Sequence, residues 1–257
     1  MAYTIAIFNQ KGGVGKSTTT SNLMAGLQEC KKKVLSIDID SQGHLTKFFN
    51  VDTNNQNTVT EILLNEATFE ETVVHTKYGD ILPCDRDLQT VISEFATKPN
   101  SILRLKKLVT QVADKYDYIL FDCPPNANQV TISSLIASDY VIIPTEAEYF
   151  SLDGIAEISI TLDMVKDFNP NLKVLGILIV KYNPIRTLTR QIEKNLDNIA
   201  KNYFDSKVFR SKINDTVAIP NSQVNGVSIY EYESKSKVAR NFMLFVKEVI
   251  KGVEDNE

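Results

Sequence analysis

Short apolar runs recur along the chain at 5–8, 34–37, 118–121, 141–143 and 174–180, and none of them alternates with polar residues. Runs of that length, apolar on both faces, predict strands buried on both sides, as in a parallel sheet covered by helices. Between them, apolar positions return with the 3.6-residue period of a helix over 17–30, 101–115, 129–137, 152–168 and 188–203, and a last helix spans about 235–251. Strand, helix, strand in repetition predicts an α/β fold with a doubly wound, mostly parallel sheet and helices on both faces. No Ser/Gly/Pro-rich linker, internal repeat or long run of one charge interrupts the pattern, so residues 1–257 are expected to form one domain.

Composition narrows this little. The 43% hydrophobic content is that of an ordinary globular protein. No apolar stretch approaches a membrane span, and the N-terminus runs into the first strand without a signal-peptide pattern, so the expectation is a cytoplasmic protein. Cys30, Cys84 and Cys123 lie far apart and form no CxxC pair, which disfavours a disulfide framework or a zinc site. Charge is more informative in its distribution than in its sum. The net charge is −4, yet 181–212 carries eight cations against three carboxylates, a local +5 that leaves −9 for the rest. That window is either a phosphate-binding surface or a solvated helix face. Arg186, Arg190, Arg210 and Lys212 are its candidate nucleic-acid contacts, the last two on a short strand-like run where alternate residues share a face.

Candidate chemistry begins after the first strand. Gln10-Lys11-Gly12-Gly13-Val14-Gly15-Lys16-Ser17 follows the phosphate-loop pattern G-x-x-x-x-G-K-[ST] except that Gln10 replaces the first glycine. Its glycines let backbone N–H groups aim inward at phosphate oxygens. Lys16 reaches the β- and γ-phosphates as a point charge, the Ser17 hydroxyl suits Mg²⁺, and the following helix contributes its positive dipole end. Strand before and helix after are the context the motif needs. ATP and Mg²⁺ are therefore the expected ligands of a P-loop NTPase. Lys11 is a second cation in the same loop, and is either a solvent-facing lysine or one pointing outward to a nucleotide on a second protomer. Strand 34–37 leads into Asp38-Ile39-Asp40, whose carboxylates project to one side in extended backbone, and strand 118–121 delivers Asp122 before Pro124-Pro125. Three acids at the C-terminal sheet edge suit a metal and an attacking water.

These residues resemble the ParA group of DNA-partition ATPases, deviant Walker-A P-loop proteins related to MinD. The likeness is carried by Lys11-Gly12-Gly13-Val14-Gly15-Lys16-Ser17-Thr18, by Asp38-Ile39-Asp40-Ser41-Gln42-Gly43, by Phe121-Asp122-Cys123-Pro124-Pro125, by 144–154 and by 232–237. It resembles the short form without an N-terminal helix-turn-helix. The resemblance implies slow, partner-stimulated ATP hydrolysis. Lys16 is then the phosphate lysine, and Lys11 a signature lysine that crosses an ATP-bound sandwich homodimer. Ser17 ligates Mg²⁺, with Asp38 and Asp122 supporting the metal through water, and Asp40 orients the attacking water. It also implies non-specific DNA as a partner, nucleoid association when ATP-bound, and a ParB-like centromere-binding protein that triggers hydrolysis.

Three departures stand out. Ser41 replaces the family's usual proline. Ile213-Asn214-Asp215-Thr216 stands where I-P-R-N is common, leaving Asn214 and Thr216 as adenine contacts and an acid where a base often sits. The segment 181–187 is slightly longer than usual. The alternative is a MinD-like membrane-associated ATPase, which needs a basic amphipathic C-terminal helix. Residues 242–246 are apolar, but the chain ends Glu254-Asp255-Asn256-Glu257, so this run is expected to pack into the core and no membrane partner is expected.

Overall fold

A computed structural model describes residues 2–98, 100–148, 151–184 and 187–255, with the side chains of 151–153 and 187–190 left out. Seven strands form one sheet: β1 (Tyr3–Ile7), β2 (Val34–Asp38), β3 (Val74–Thr76), β4 (Gly79–Leu82), β5 (Tyr118–Asp122), β6 (Tyr140–Glu146) and β7 (Lys173–Val180), in the order β3-β4-β2-β5-β1-β6-β7. All pairings are parallel except the edge pair β3–β4. Every residue of β2 and β5 is buried, as continuous apolar runs require when helices cover both faces.

The pleat of β1 shows how the core divides. Ile5 and Ile7 enter one apolar cluster, Ala6 and Phe8 the other. The Ile5 side is closed by α1 (Lys16–Glu29) and by the C-terminal helices α10 (Ala218–Val224), α11 (Ile229–Tyr232) and α12 (Lys237–Glu254). The Phe8 side is closed by α3 (Val59–Leu64), α5 (Asp87–Thr97), α6 (Arg104–Val112), α7 (Gln129–Ile136), α8 (Ser151–Lys166) and α9 (Thr187–Phe204). Short helices α2 (His44–Phe48) and α4 (Phe69–Thr72) complete the connections. Phe242, Phe245, Val246 and Val249 of α12 are fully buried, and at about 1.5–3 kcal/mol for each large apolar side chain their face is committed to the core. Within the apolar run at 242–246, Phe242, Phe245 and Val246 pack inward as expected, whereas Leu244 is 54% exposed.

Two elements differ from the reading above. Strand β6 continues through Pro144 to Glu146, although a proline cannot donate to a ladder. Ile142 turns its carbonyl to the Phe8 N–H, so Pro144, two residues on, turns its nitrogen to the same side, beyond the last β1–β6 pair. The run at 207–212 does not form a strand. It meets the outer edge of β7 at the bridge Ile177–Val208, where Ile177 donates to the Lys207 carbonyl and accepts from the Phe209 N–H, both at 2.9 Å. Farther on, Ile213 donates to the Ile179 carbonyl and Asn214 bridges to Tyr182, just past β7.

Candidate functional site

Register places the chemistry. Asp38 pairs with Asp122 across β2 and β5, and Ile7 pairs with Asp122 across β1 and β5. Both carboxylates thus reach the C-terminal sheet edge beside the loop that follows β1, where the strand order reverses and open α/β sheets bind ligands. In that loop Gly13 and Gly15 both have φ of 75°, a conformation that L side chains rarely adopt. Val14, fully buried, anchors the loop between them. Gly15 is the N-cap of α1 and supplies no side-chain cap, so the first N–H groups of a fourteen-residue helix face the loop.

Lys16 is 7% exposed and donates from Nζ to the Lys11 carbonyl at 3.1 Å. Burial pulls its ammonium below the usual lysine range, and Asp122, Cys123 and Asp40 oppose the fall. A buried cation beside an open helix N-terminus suits a polyanion.

The acids divide the work. Asp38 is fully buried with both oxygens engaged: Oδ2 accepts from the Thr46 N–H at 2.9 Å and its hydroxyl at 2.7 Å, and Oδ1 accepts from the Asp40 N–H at 3.1 Å. Asp122 accepts from the Thr20 hydroxyl at 3.1 Å on Oδ1, while its buried Oδ2 has no partner. Burial, then repulsion by Asp38, holds the Asp122 carboxyl well above the usual range, and the Ser17 hydroxyl opposes that rise. Asp38 is raised chiefly by burial too. An orphaned buried oxygen near a serine hydroxyl fits a hydrated divalent cation, which would satisfy the oxygen and relieve the repulsion. Among the described residues no cluster of three or more His, Cys, Asp or Glu forms a protein-only metal cage. Mg²⁺ keeps several waters and binds through few protein groups plus substrate phosphates, so Ser17 and Asp122 match it. Asp38 fits a supporting place, since its oxygens are already engaged. Asp40, 8% exposed, accepts from the Gln42 N–H at 3.0 Å and stands at the rim, two residues beyond β2.

The outer side of the loop is held by residues to which the sequence assigned no role. The end of β6 supplies Glu146 and, just beyond it, Glu148. Glu148 takes an ion pair from Lys11 Nζ at 3.1 Å, and Glu146 one from Lys181 Nζ at 2.7 Å. Lys11 holds Glu148 below the usual carboxylate range. Asn9 braces the entry to the loop, donating to the Pro144 carbonyl at 2.7 Å and accepting from the Lys11 N–H at 2.9 Å. Gly12 is exposed, and a Cβ built on it meets nothing within 4 Å. On the other flank, Gln223 of α10 donates to the Thr18 hydroxyl at 2.7 Å. Asn214 donates to the Tyr182 carbonyl at 3.3 Å, and the Thr216 hydroxyl accepts from the Ala218 N–H at 3.2 Å. Both lie in the segment that bridges to Tyr182 just past the end of β7, whose Val180 comes within 3.8 Å of a Cβ built on Gly15.

The basic window behaves unevenly. Arg186 and the side chain of Arg190 lie outside the described residues. Arg210 is exposed, its backbone N–H held by Glu248 at 2.9 Å. Lys212 is not a free surface cation. It pairs with Glu193, lies 4.9 Å from the Tyr182 ring centroid, and is only 20% exposed. Both nevertheless border one groove, with Lys237, Lys247 and Lys251 of α12 on its far side. Those α12 lysines recur along one helix face and meet the 210–212 segment only through the fold, which is why counting charge within 181–212 misses them.

Comparison with known proteins agrees with this geometry. The AAA domain family matches residues 2–174. The chromosome partitioning protein ParA of Myxococcus xanthus is 33% identical over 251 residues, 96% of this chain and 87% of that protein. Among solved structures, cobyrinic acid a,c-diamide synthase from Mycobacterium smegmatis, with bound ATP analog and magnesium, is similar at TM-score 0.86 and 26% identity, covering 100% of this chain and 98% of that one. The septum site-determining protein MinD from Pyrococcus horikoshii, complexed with Mg-ADP, is similar at TM-score 0.79 and 25% identity over 97% and 96% of the two chains. With its doubly wound sheet, its phosphate loop bearing two lysines and its near full-length likeness to a partitioning protein, the chain belongs to the ParA family of P-loop ATPases.

Proposed function

We propose that the protein is an ATP-driven DNA-partition switch. ATP with Mg²⁺ joins two copies in a sandwich dimer, the dimer holds DNA without sequence preference, and a centromere-binding partner of the ParB kind triggers hydrolysis and release. The observation that carries this reading is the unequal placement of the two loop lysines. Lys16 is buried at the base of the loop, whereas Lys11 is on the outside, 40% exposed, in a pair with Glu148 that is itself 47% exposed. Exposed pairs of that kind contribute about 0–1 kcal/mol, so Lys11 can leave Glu148 for a partner's nucleotide at little cost. Gly12 beside it offers the clearance two facing loops need.

Within one protomer, Lys16 and the loop N–H groups take the β- and γ-phosphates. Ser17 and Asp122 would hold Mg²⁺, which neutralises phosphate charge when bound. Asp40 orients the attacking water, and Asp38 keeps Asp40 in place by accepting its N–H. Phosphoryl transfer depends mainly on positioning and charge, so an incomplete site hydrolyses slowly until a partner completes it. Asn214 and Thr216 are the candidate base contacts. Arg186, Arg190 and Arg210, with Lys237, Lys247 and Lys251, are the DNA contacts, and Lys212 supports the groove through Glu193. ATP-bound protein is then nucleoid-associated and cytoplasmic. The burial of α12 into the core disfavours a membrane role for that helix. The test is ATPase turnover with and without duplex DNA, before and after adding the centromere-binding partner. Stimulation requiring both supports the switch; turnover indifferent to both contradicts it.

A further inference from the structure

We infer that Lys181 is a positioning residue for the phosphate loop, acting through the carbonyl of Gly13; the inference rests on reading that loop as the nucleotide site. Lys181 is the first residue past β7. Its Nζ donates to the Gly13 carbonyl at 3.0 Å and to Glu146 Oε1 at 2.7 Å. Its φ of 48° lies in the left-handed region, unusual for a lysine, so the backbone turns sharply at the point where the side chain must come back over the loop.

The consequence follows from peptide geometry. The Gly13 carbonyl and the Val14 N–H belong to one planar trans unit, and point in opposite directions. Fixing the carbonyl outward on Lys181 aims the Val14 N–H inward, to the concave side where a phosphate oxygen would accept it. Gly13 has φ of 75°, and a Cβ built there meets nothing within 4 Å. The buried Val14 side chain anchors one end of this peptide, Gly13 has no side chain to hold the other, and the Lys181 contact fixes the carbonyl there. Glu146 completes the device. It is only 17% exposed, sits in register with Val180 across β6 and β7, and holds the ammonium over the loop. The clasp thus ties the phosphate loop to the two strands on its far side.

The test uses full-length protein in two measurements. Hydrogen exchange over 11–15 in the nucleotide-free protein reads the loop alone, and calorimetric titration with ATP in Mg²⁺ reads the site. Lys181→Met is expected to speed exchange in that segment and to weaken ATP by up to about tenfold, since the Lys181 side chain is 52% exposed and its contact is partly screened by solvent. Lys181→Arg should restore both to within about threefold, and Glu146→Gln should move both in the same direction as Lys181→Met but less. The inference is overturned if Lys181→Met leaves loop exchange unchanged. It is equally overturned if Glu146→Gln tightens ATP binding, because a lysine freed from Glu146 would then be meeting phosphate directly. If the wild-type protein itself fails to bind ATP, the nucleotide site is what falls, and the exchange data still decide the clasp.

Discussion

Gly12→Val adds three carbons at a position where the protomer itself makes no demand for glycine. Gly12 is not among the positive-φ residues, and a Cβ there has open space for 4 Å. A β-branched side chain should therefore cost the fold no more than about 0.5 kcal/mol, the range of an exposed substitution, and the stiffer unfolded chain offsets part of that. ATP affinity should stay within about threefold, since Lys16, Ser17 and the Gly13–Gly15 backbone are untouched. The dimer should respond differently. If two loops face each other, each valine intrudes on a close contact, and overpacking costs about 1–3 kcal/mol per site. Two sites give roughly 2–6 kcal/mol, or about 30-fold to 10⁴-fold in dimer affinity. Calorimetry with ATP and light scattering across a protein concentration series measure the two terms separately. An ATP-dependent dimer of wild-type affinity would refute the argument, since the loops would then not approach one another.

Lys16→Ala should abolish ATP binding by calorimetry, because the buried ammonium of Lys16 is the cation seated under the loop. Asp40→Ala should still bind ATP but hydrolyse it at least about 10²-fold more slowly under partner stimulation, accumulating the dimer; unchanged turnover would move the role to another acid. Arg210→Ala and Lys247→Ala should each lower the salt slope of DNA binding by the dimer by roughly two units, one for each copy, whereas Lys212→Ala should lower it less, its charge being engaged by Glu193.

The phosphate loop and its acids were legible because their chemistry demands particular residues at fixed local spacing. Gly13, Gly15, Lys16 and Ser17 sit in one loop, and Asp38 and Asp122 each end a strand whose apolar run is plain. The central strands and most of the long helices were legible for the same reason, to within a few residues, but the eleven-residue α5 (Asp87–Thr97) was not read. Short elements escaped the period search. Strand β3 reads Val-His-Thr, and α3 and α4 span one turn or little more, too few residues to show a 3.6-residue period. Their starts were nevertheless written in capping boxes, Thr58 with Glu61 and Thr68 with Glu71. What could not be read was whatever strand order brings together. Glu146 and Lys181 meet because β6 and β7 are neighbours, and Asn9 reaches Pro144 because β6 lies beside β1. Lys212 shows the converse: a count of charges registers the cation and misses Glu193, nineteen residues earlier, which claims it.

The central claim is that nucleotide state controls the grip on DNA. Its most direct test is equilibrium binding to two unrelated duplexes across a salt series, with ATP and Mg²⁺, with ADP and Mg²⁺, and without nucleotide, using Asp40→Ala protein to hold the ATP state. Tight binding confined to the ATP arm is predicted, equal on both duplexes, with log affinity falling linearly against log salt over several phosphate contacts. Equal affinity in all three arms, or preference for one duplex over the other, would contradict the account.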